Sequence, residues 1–536
     1  WPGFPWLRPP TFMHEGSTRS GLPALTGQGR ARTFRVAMSA RARFTGWTRA
    51  ACVWGIVALV AGLFLDGCGA GAAPNPTGGL ASGGASARVT PGASVSGGTN
   101  APAGAPNGGS TTSGGGDTVV TVPSAGTASS SGCVTTLSGL VTTPAGTLPL
   151  YDVMLYVPSK PLDPLPEGAS CDTCAGVVSG DPVASALSDE HGRFVMVNVP
   201  AGADIPLVVQ IGKWRREVTV PRVTACADNP VDPELTRLPK NRSEGHLPRI
   251  ALSTGALDAL ECLLLKIGID EHEFTTPDEP GRVNLYAGRG GTDQYADSID
   301  FGAILPLPEL SLWGDTNTLP QYDVVLLSCE GGEFPINKPP DARQRMFDYA
   351  AQGGRIFFSH YHKFWLEQGP PPFPDVMTFN DTLDDLTLDA TIETTFPKGQ
   401  ALASWLVNVG GSTTPGTVSL VDAQNTGRIE NPAYAQRWVY DPFDAATQSP
   451  SVKYMTANTP LGAAPGSECG RIVYSDIHVT TGDPNGDQSA IDLPFPTGCR
   501  TTSLSPQEKV LVFMFFDLSA CVIPDKVTPT KPPLVR

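Results

Sequence analysis

Tyr322 to His362 reads YDVVLLSCEGGEFPINKPPDARQRMFDYAAQGGRIFFSHYH, and this stretch decides the fold. Asp323 to Leu327 is a short apolar run that ends in a Cys-Glu-Gly-Gly turn. Ala342 to Ala351 has helical spacing, with Met346, Phe347 and Ala350 on one side. Gly353 and Gly354 stop that helix, and Arg355 to Ser359 begins a second buried strand. Strand, helix and strand in this order predict a parallel βαβ unit. Such units place their chemistry just past the carboxyl ends of the strands. Here those ends carry Cys329-Glu330-Gly331-Gly332 and Ser359-His360-Tyr361-His362.

The same alternation continues on both sides. Arg249 to Ser253 reads as a strand, and Gly255 to Ile267 as a helix with Leu257, Leu260 and Leu264 on one face. Arg282 to Ala287 and Gly470 to Ile477 are further strands, separated by a less regular region after His362. Ser505-Pro506-Gln507-Glu508 is a capping box with Pro at the first helical position, and its helix runs to about Ala520. Residues 249–523 therefore predict a doubly wound parallel α/β sheet, with a linker at 230–248 before it and a tail at 524–536 after it.

YDVVLLSCEGGE, AQGGRIFFSHYH and GRIVYSDIHV, in that order, resemble the class I glutamine amidotransferase-like fold and its ThuA-type relatives, with flavodoxin-like layers. The resemblance implies Ser359 at the nucleophile position and His478 as general base, with Asp476 as a candidate third group. The sequence departs from the family at the elbow, where Phe358, His360 and Tyr361 replace its glycines, and at Thr480, where an acidic residue is expected.

A second chemistry is open at the same strand ends. On extended segments His360 and His362 point the same way, as do Asp476 and His478. If the two strands are neighbours, three imidazoles and a carboxylate converge in a set suited to zinc or another divalent metal. The alternative is that these groups cap strand ends. Cys329 reads either as a small buried hydrophobe or as a free catalytic thiol. Asp483-Pro484-Asn485-Gly486-Asp487 has calcium-like spacing, but Pro494 stands where a closing Glu belongs, so it reads as an Asx-rich turn.

Residues 132–229 have a different rhythm. Leu137–Thr142, Tyr151–Val157, Arg193–Val199, Pro206–Ile211 and Arg216–Val220 are short strand candidates. They are punctuated by Pro144-Ala145-Gly146, Glu190-His191-Gly192 and Pro200-Ala201-Gly202, which predicts an antiparallel β-sandwich. Gly139, Val141, Asp189, Gly192, Phe194, Pro200 and Gly202 resemble the marks of the carboxypeptidase regulatory-like domain. That resemblance implies a prealbumin-like sandwich and a carbohydrate-binding-like fold, without peptidase activity. Trp214, beside Arg215 and Arg216, is either an exposed ligand platform or a core residue.

The amino-terminal quarter reads as export machinery. Residues 1–37 read as an extension outside the mature protein. Arg41, Arg43 and Arg49 precede the uncharged apolar run Ala50–Leu65, the pattern of a signal peptide over 38–68. Leu65-Asp66-Gly67-Cys68 resembles a bacterial lipobox, which implies acylation of Cys68 and anchoring to a membrane; the alternative is an ordinary signal peptide. Residues 69–131 are Gly, Ser, Ala, Thr and Pro, a composition that buries too little surface to fold and so predicts a disordered tether.

Eleven cysteines in an exported chain predict disulfides. Cys133 with Cys226, Cys171 with Cys174, and Cys469 with Cys499 are the candidate pairs. A formal charge of −15 argues against a nucleic-acid partner, because phosphate contacts need clustered Lys and Arg. Signal, tether, sandwich and α/β domain together resemble multi-domain lipoproteins of Gram-negative soil bacteria. The expectation is an exported, lipid-anchored envelope protein on the outer-membrane or periplasmic face. It binds a saccharide or envelope ligand or, alternatively, is a metal-assisted or Ser-based hydrolase.

Overall fold

Ten strands of one large mixed sheet organise the described residues, together with smaller sheets of four, three and two strands. The computed structural model describes residues 132–534, apart from 172, 173, 175, 177, 381–385, 446 and 480–490. The calcium-like run 483–487, the signal peptide, Cys68 and the whole of the tether lie outside the described residues.

The first region holds β1 (Thr136–Leu140), β2 (Met154–Pro158), β3 (Pro182–Leu187), β4 (Arg193–Val197), β5 (Gly202–Ile211), β6 (Trp214–Val223) and β7 (Asp228–Pro230). They form two sheets, β4-β1-β7 and β3-β2-β5-β6, whose apolar faces share one core. In β4 the alternation is strict: Phe194 and Met196 are buried, while Arg193, Val195 and Val197 are exposed. The turn before it is made by Asp189, whose Oδ1 accepts the backbone N–H groups of His191 (2.9 Å) and Arg193 (2.8 Å). Gly192 there has φ 72°, and a Cβ would come within 2.6 Å of the Val141 carbonyl oxygen.

Trp214 is fully buried. Its ring meets Phe515 and Phe516 of the helix Pro506–Ser519 at 6.4 and 5.9 Å, so it joins the two regions and is not an exposed platform. The hairpin tip beside it inserts Lys213, whose Nζ donates to Asp323 Oδ1 at 2.6 Å. All described residues fall within one compact unit, Thr112–Arg536.

The large region holds β8 (Ile250–Ser253), β9 (Phe274–Thr275), β10 (Val283–Tyr286), β11 (Val324–Leu327), β12 (Arg355–Ser359), β13 (Met377–Phe379), β14 (Leu386–Ile392), β15 (Thr417–Ala423), β16 (Gly427–Glu430), β17 (Ala435–Asp444), β18 (Ser449–Thr459) and β19 (Gly470–Ser475). The sheet order is β15-β14-β17-β18-β19-β12-β11-β8-β10-β9, and β13 pairs with β16 in a separate ribbon. Strands from β19 through β9 in that order are parallel, while β18, β17, β14 and β15 are antiparallel to their neighbours. The expected all-parallel sheet is thus corrected to a mixed one. Its antiparallel half comes from the segment that looked irregular, in which Pro442 and Pro450 interrupt the strand pattern of β17 and β18.

The parallel strands are buried on both faces, which is why they read as continuous apolar runs. Leu252, Val324, Leu326, Phe357 and Val473 face the core shared with the first region and the terminal helix. Ala251, Val325, Leu327, Ile356, Phe358 and Ile472 face the core under the helix Pro340–Ala351. The terminal capping box forms as read: Glu508 N–H donates to Ser505 Oγ and Ser505 N–H to Glu508 Oε2. The helix expected at 255–267 begins only at Leu260, because residues 257–259 are hydrogen-bonded across the strand ends.

Four disulfides form among the described residues, and the cysteine expectations fare unequally. Cys133 bonds Cys226 and staples the ends of the first region. Cys171 bonds Cys469 and Cys174 bonds Cys521, so the C-x-x-C does not close on itself and instead clamps the first region to the second at two points. Cys499 pairs with Cys262, not with Cys469. Cys329 is a buried free thiol.

Candidate metal and catalytic centre at the strand ends

β8 and β11 are neighbours, yet the helices that follow them pack on opposite faces, Leu260–Lys266 in one core and Pro340–Ala351 in the other. A parallel sheet opens a crevice where its connections diverge in this way. Four loops meet there: Thr254–Ala259 after β8, Cys329–Gly332 after β11, His360–His362 after β12, and Asp476–Val479 after β19.

Asp258, which sequence reasoning missed, ties them together. Its Oδ2 accepts the Cys329 N–H at 3.1 Å and the Ser359 hydroxyl in a shorter bond, and its Oδ1 accepts the Val479 N–H at 2.7 Å. The carboxylate is buried and saturated by these donors. No sequence signal marked it, since an Asp inside an apparent helix start reads as a cap. Ser359 is thereby committed to Asp258. Among the described residues no hydrogen bond joins it to His478, so the expected nucleophile–base pair is not formed.

Cys329, His360 and His478 converge instead: one ligand atom from each lies within 4.8 Å of the others, and all three residues are buried. Cys329 Sγ is 3.5 Å from His360 Nδ1. His360 Nε2 sits 3.0 Å from Thr426 Oγ1, which leaves Nδ1 turned toward the thiol. The His360 and His478 ring centroids are 5.1 Å apart, and His478 Nε2 is buried without a partner among the described residues. Such an orphaned nitrogen is costly unless something is meant to meet it.

The His-x-His expectation is corrected. The chain does not stay extended after Ser359: His360 has φ 36° and opens a 3₁₀ turn, so His362 swings away. His362 donates from Nε2 to the Ser328 carbonyl oxygen (3.0 Å) and accepts at Nδ1 from Trp365 Nε1 (3.0 Å). Both nitrogens are used, and the ring is structural. Asp476 is likewise spent, accepting from Gly427 N–H and the Tyr474 hydroxyl, each at 2.7 Å. Cys329 takes the place intended for these two. His360, Cys329 and His478 form a soft N₂S donor set, fit for zinc and poorly suited to magnesium or calcium.

Burial sets the protonation of the cluster. It pushes the His360 imidazole down to about 2, with His478 and Lys363 adding repulsion, so the ring is neutral and able to ligate. Burial, and then the Asp258 carboxylate, push the Cys329 thiol up, which disfavours a free thiolate nucleophile. A divalent cation would reverse that preference and displace the proton. Three residues on from Asp258, Glu261 is buried, its Oε2 has no partner among the described residues, and burial raises its carboxyl to about 8.

No family model and no curated protein matches the chain. Among solved structures, a type II cohesin–X-dockerin complex from Acetivibrio cellulolyticus aligns at 18% identity and TM-score 0.14, over 26% of this chain and 75% of that one. The carbohydrate deacetylase Agd3 aligns at 12% identity and TM-score 0.26, over 44% of this chain, which spans 30% of that protein's length. Likenesses this slight carry no argument about what the chain does.

Proposed function

We propose that the protein is an exported, lipid-anchored bacterial envelope protein whose strand-end centre holds zinc and serves a metal-assisted hydrolase. The observation that carries the reading is the convergence of Cys329, His360 and His478 within 4.8 Å, three ligands from three different strand ends. Three protein ligands with a position left over is the pattern of catalytic zinc. Zinc, when bound, supplies an activated water and polarises a carbonyl.

The chain's own part is positioning. Thr426 holds the His360 ring by its far nitrogen, and Asp258 fixes both Cys329 and the residue after His478. The fold is read as amidotransferase-like in its parallel half, supported by the order β10-β8-β11-β12-β19, and as prealbumin-like in its first region.

Elemental analysis of the purified protein tests this: about one zinc per chain is expected, lost in Cys329→Ser and His478→Ala. Hydrolysis of a p-nitrophenyl ester should follow zinc content across the variants. Protein that binds no metal under any loading condition ends the reading.

One observation favours a second reading. Cys329, His360 and His478 are 0%, 1% and 2% exposed. In that case the cluster is a closed polar core, and the protein is a binder of a saccharide or envelope ligand.

A further inference from the structure

We propose that the rim of this centre takes an anionic ligand carrying an acyl chain, held by Arg289 and an adjoining apolar shelf. The inference rests on the hydrolase reading in that it names what the same site would act on. Arg289 follows β10 at the same end of the sheet as the cluster. Its backbone N–H donates to Oε1 of Glu330, the residue next to Cys329, at 3.1 Å. Its guanidinium lies over the Phe334 ring, 5.1 Å from the centroid, and Nη2 reaches Asn337 Oδ1 at 3.4 Å.

The neighbouring cations are already neutralised. Lys338 pairs with Glu330 at 2.6 Å, and Lys363 pairs with Glu333 and Glu367 at 2.7 Å each. Arg289 is exposed and, among the described residues, forms no ion pair. An exposed guanidinium placed over a ring, with donors beyond the one that reaches Asn337, is suited to a carboxylate or similar oxyanion.

The second observation is apolar. Leu310 is 70% exposed and Ile336 86%. Asn337, which contacts Arg289, also donates Nδ2 to Glu309 Oε1 at 2.8 Å, so the segment of Leu310 is tied to that of Ile336 beside the cation. Exposed aliphatic side chains gathered on one rim mark a binding surface. A hydroxyl-rich sugar would leave them uncovered, whereas an acyl chain ending in an anion satisfies both features.

The test is calorimetric titration of the full chain with decanoate, with zinc measured on the same samples. Saturable one-to-one binding is expected. It should weaken about tenfold or more in Arg289→Gln, about fivefold in the surface double variant Leu310→Ser with Ile336→Ser, and about tenfold when 1-decanol replaces decanoate. No decanoate binding, or binding indifferent to Arg289→Gln, overturns the proposal. So does a dimer, seen by light scattering, that the double variant dissolves, because a second copy would then own the shelf. Decanoate binding without zinc sinks the hydrolase reading alone. Full zinc with no decanoate binding sinks this inference alone.

Discussion

The two ends of β19 treat their polar residues differently. At its amino end Arg471, fully buried, donates to Asn458 Oδ1 (2.8 Å), to Asp517 (2.7 Å) and, more closely, to Asp525, while Lys398 pairs with Asp517 at 2.7 Å. Just past its carboxyl end His478 keeps a buried nitrogen with no partner, beside a thiol and a neutral imidazole. One end is an ionic network, in which Arg471 Nε alone of the guanidinium nitrogens has no partner among the described residues, and the other is a thiol with two imidazoles. Burial costs both ends alike, so the difference lies in what meets the buried groups. Counter-charges from the terminal helix and tail meet the Arg471 guanidinium. Among the described residues nothing meets His478 Nε2 in that way.

That contrast is open to attack, beginning where the effect is largest. Arg471→Met takes from the buried Asp517 and Asp525 one of the two cations they share and leaves them only Lys398. Chemical denaturation should show a loss of about 3–5 kcal/mol. The same network sets an acid limit. Burial alone would raise the Asp517 carboxyl, but Arg471 and Lys398 overcome it and hold it below its usual range. Its stabilisation is therefore full above the unfolded carboxylate value and lost as pH falls through the folded one. Arg471→Met should remove that acid dependence, and an unchanged acid profile would contradict the assignment.

Asp258→Ala should cost about 2–3 kcal/mol, since it orphans two backbone N–H groups and the Ser359 hydroxyl, and zinc affinity should fall with it. Full zinc retention would show that Asp258 does not position the ligands.

Glu261→Gln acts only at one pH extreme. The folded carboxyl is raised, so its stabilising contribution is present below about pH 4 and lost as pH rises through about 8. The variant should gain on the native protein by up to about 1.4 kcal/mol per pH unit across that window. A flat difference would mean that Glu261 is hydrated or paired.

The smallest structural effect is expected at the His478 end. His478→Ala should change the stability of the metal-free protein by no more than about 1 kcal/mol while abolishing zinc binding. A loss as large as that of Arg471→Met would make His478 a core residue and erase the contrast between the two ends.

Much of the parallel half was legible before any coordinates. Strands buried on both faces advertise themselves as apolar runs, and Ser505 with Glu508 announces a helix start by local chemistry alone. The antiparallel half was not, because β17 and β18 are half-exposed in places and broken by proline. At the site, His360 and His478 were identified but given the wrong partners. The error came from one backbone angle, the turn at His360, which carried His362 into a hydrogen-bonded slot and left its place to Cys329.

The sequence by itself determined where the strands of the parallel core lie, which residues stand at their carboxyl ends, and that many of the cysteines would be bonded. Each of those follows from periodicity, composition or neighbours in the chain. Only the tertiary structure decided that Cys171 and Cys174 reach to Cys469 and Cys521, and that Asp258 gathers three strand ends. It also decided that a thiol and two imidazoles, not three imidazoles and a carboxylate, share one buried space. These partners are 31 to 347 residues apart, and no local pattern encodes a contact that exists only once the sheet is assembled.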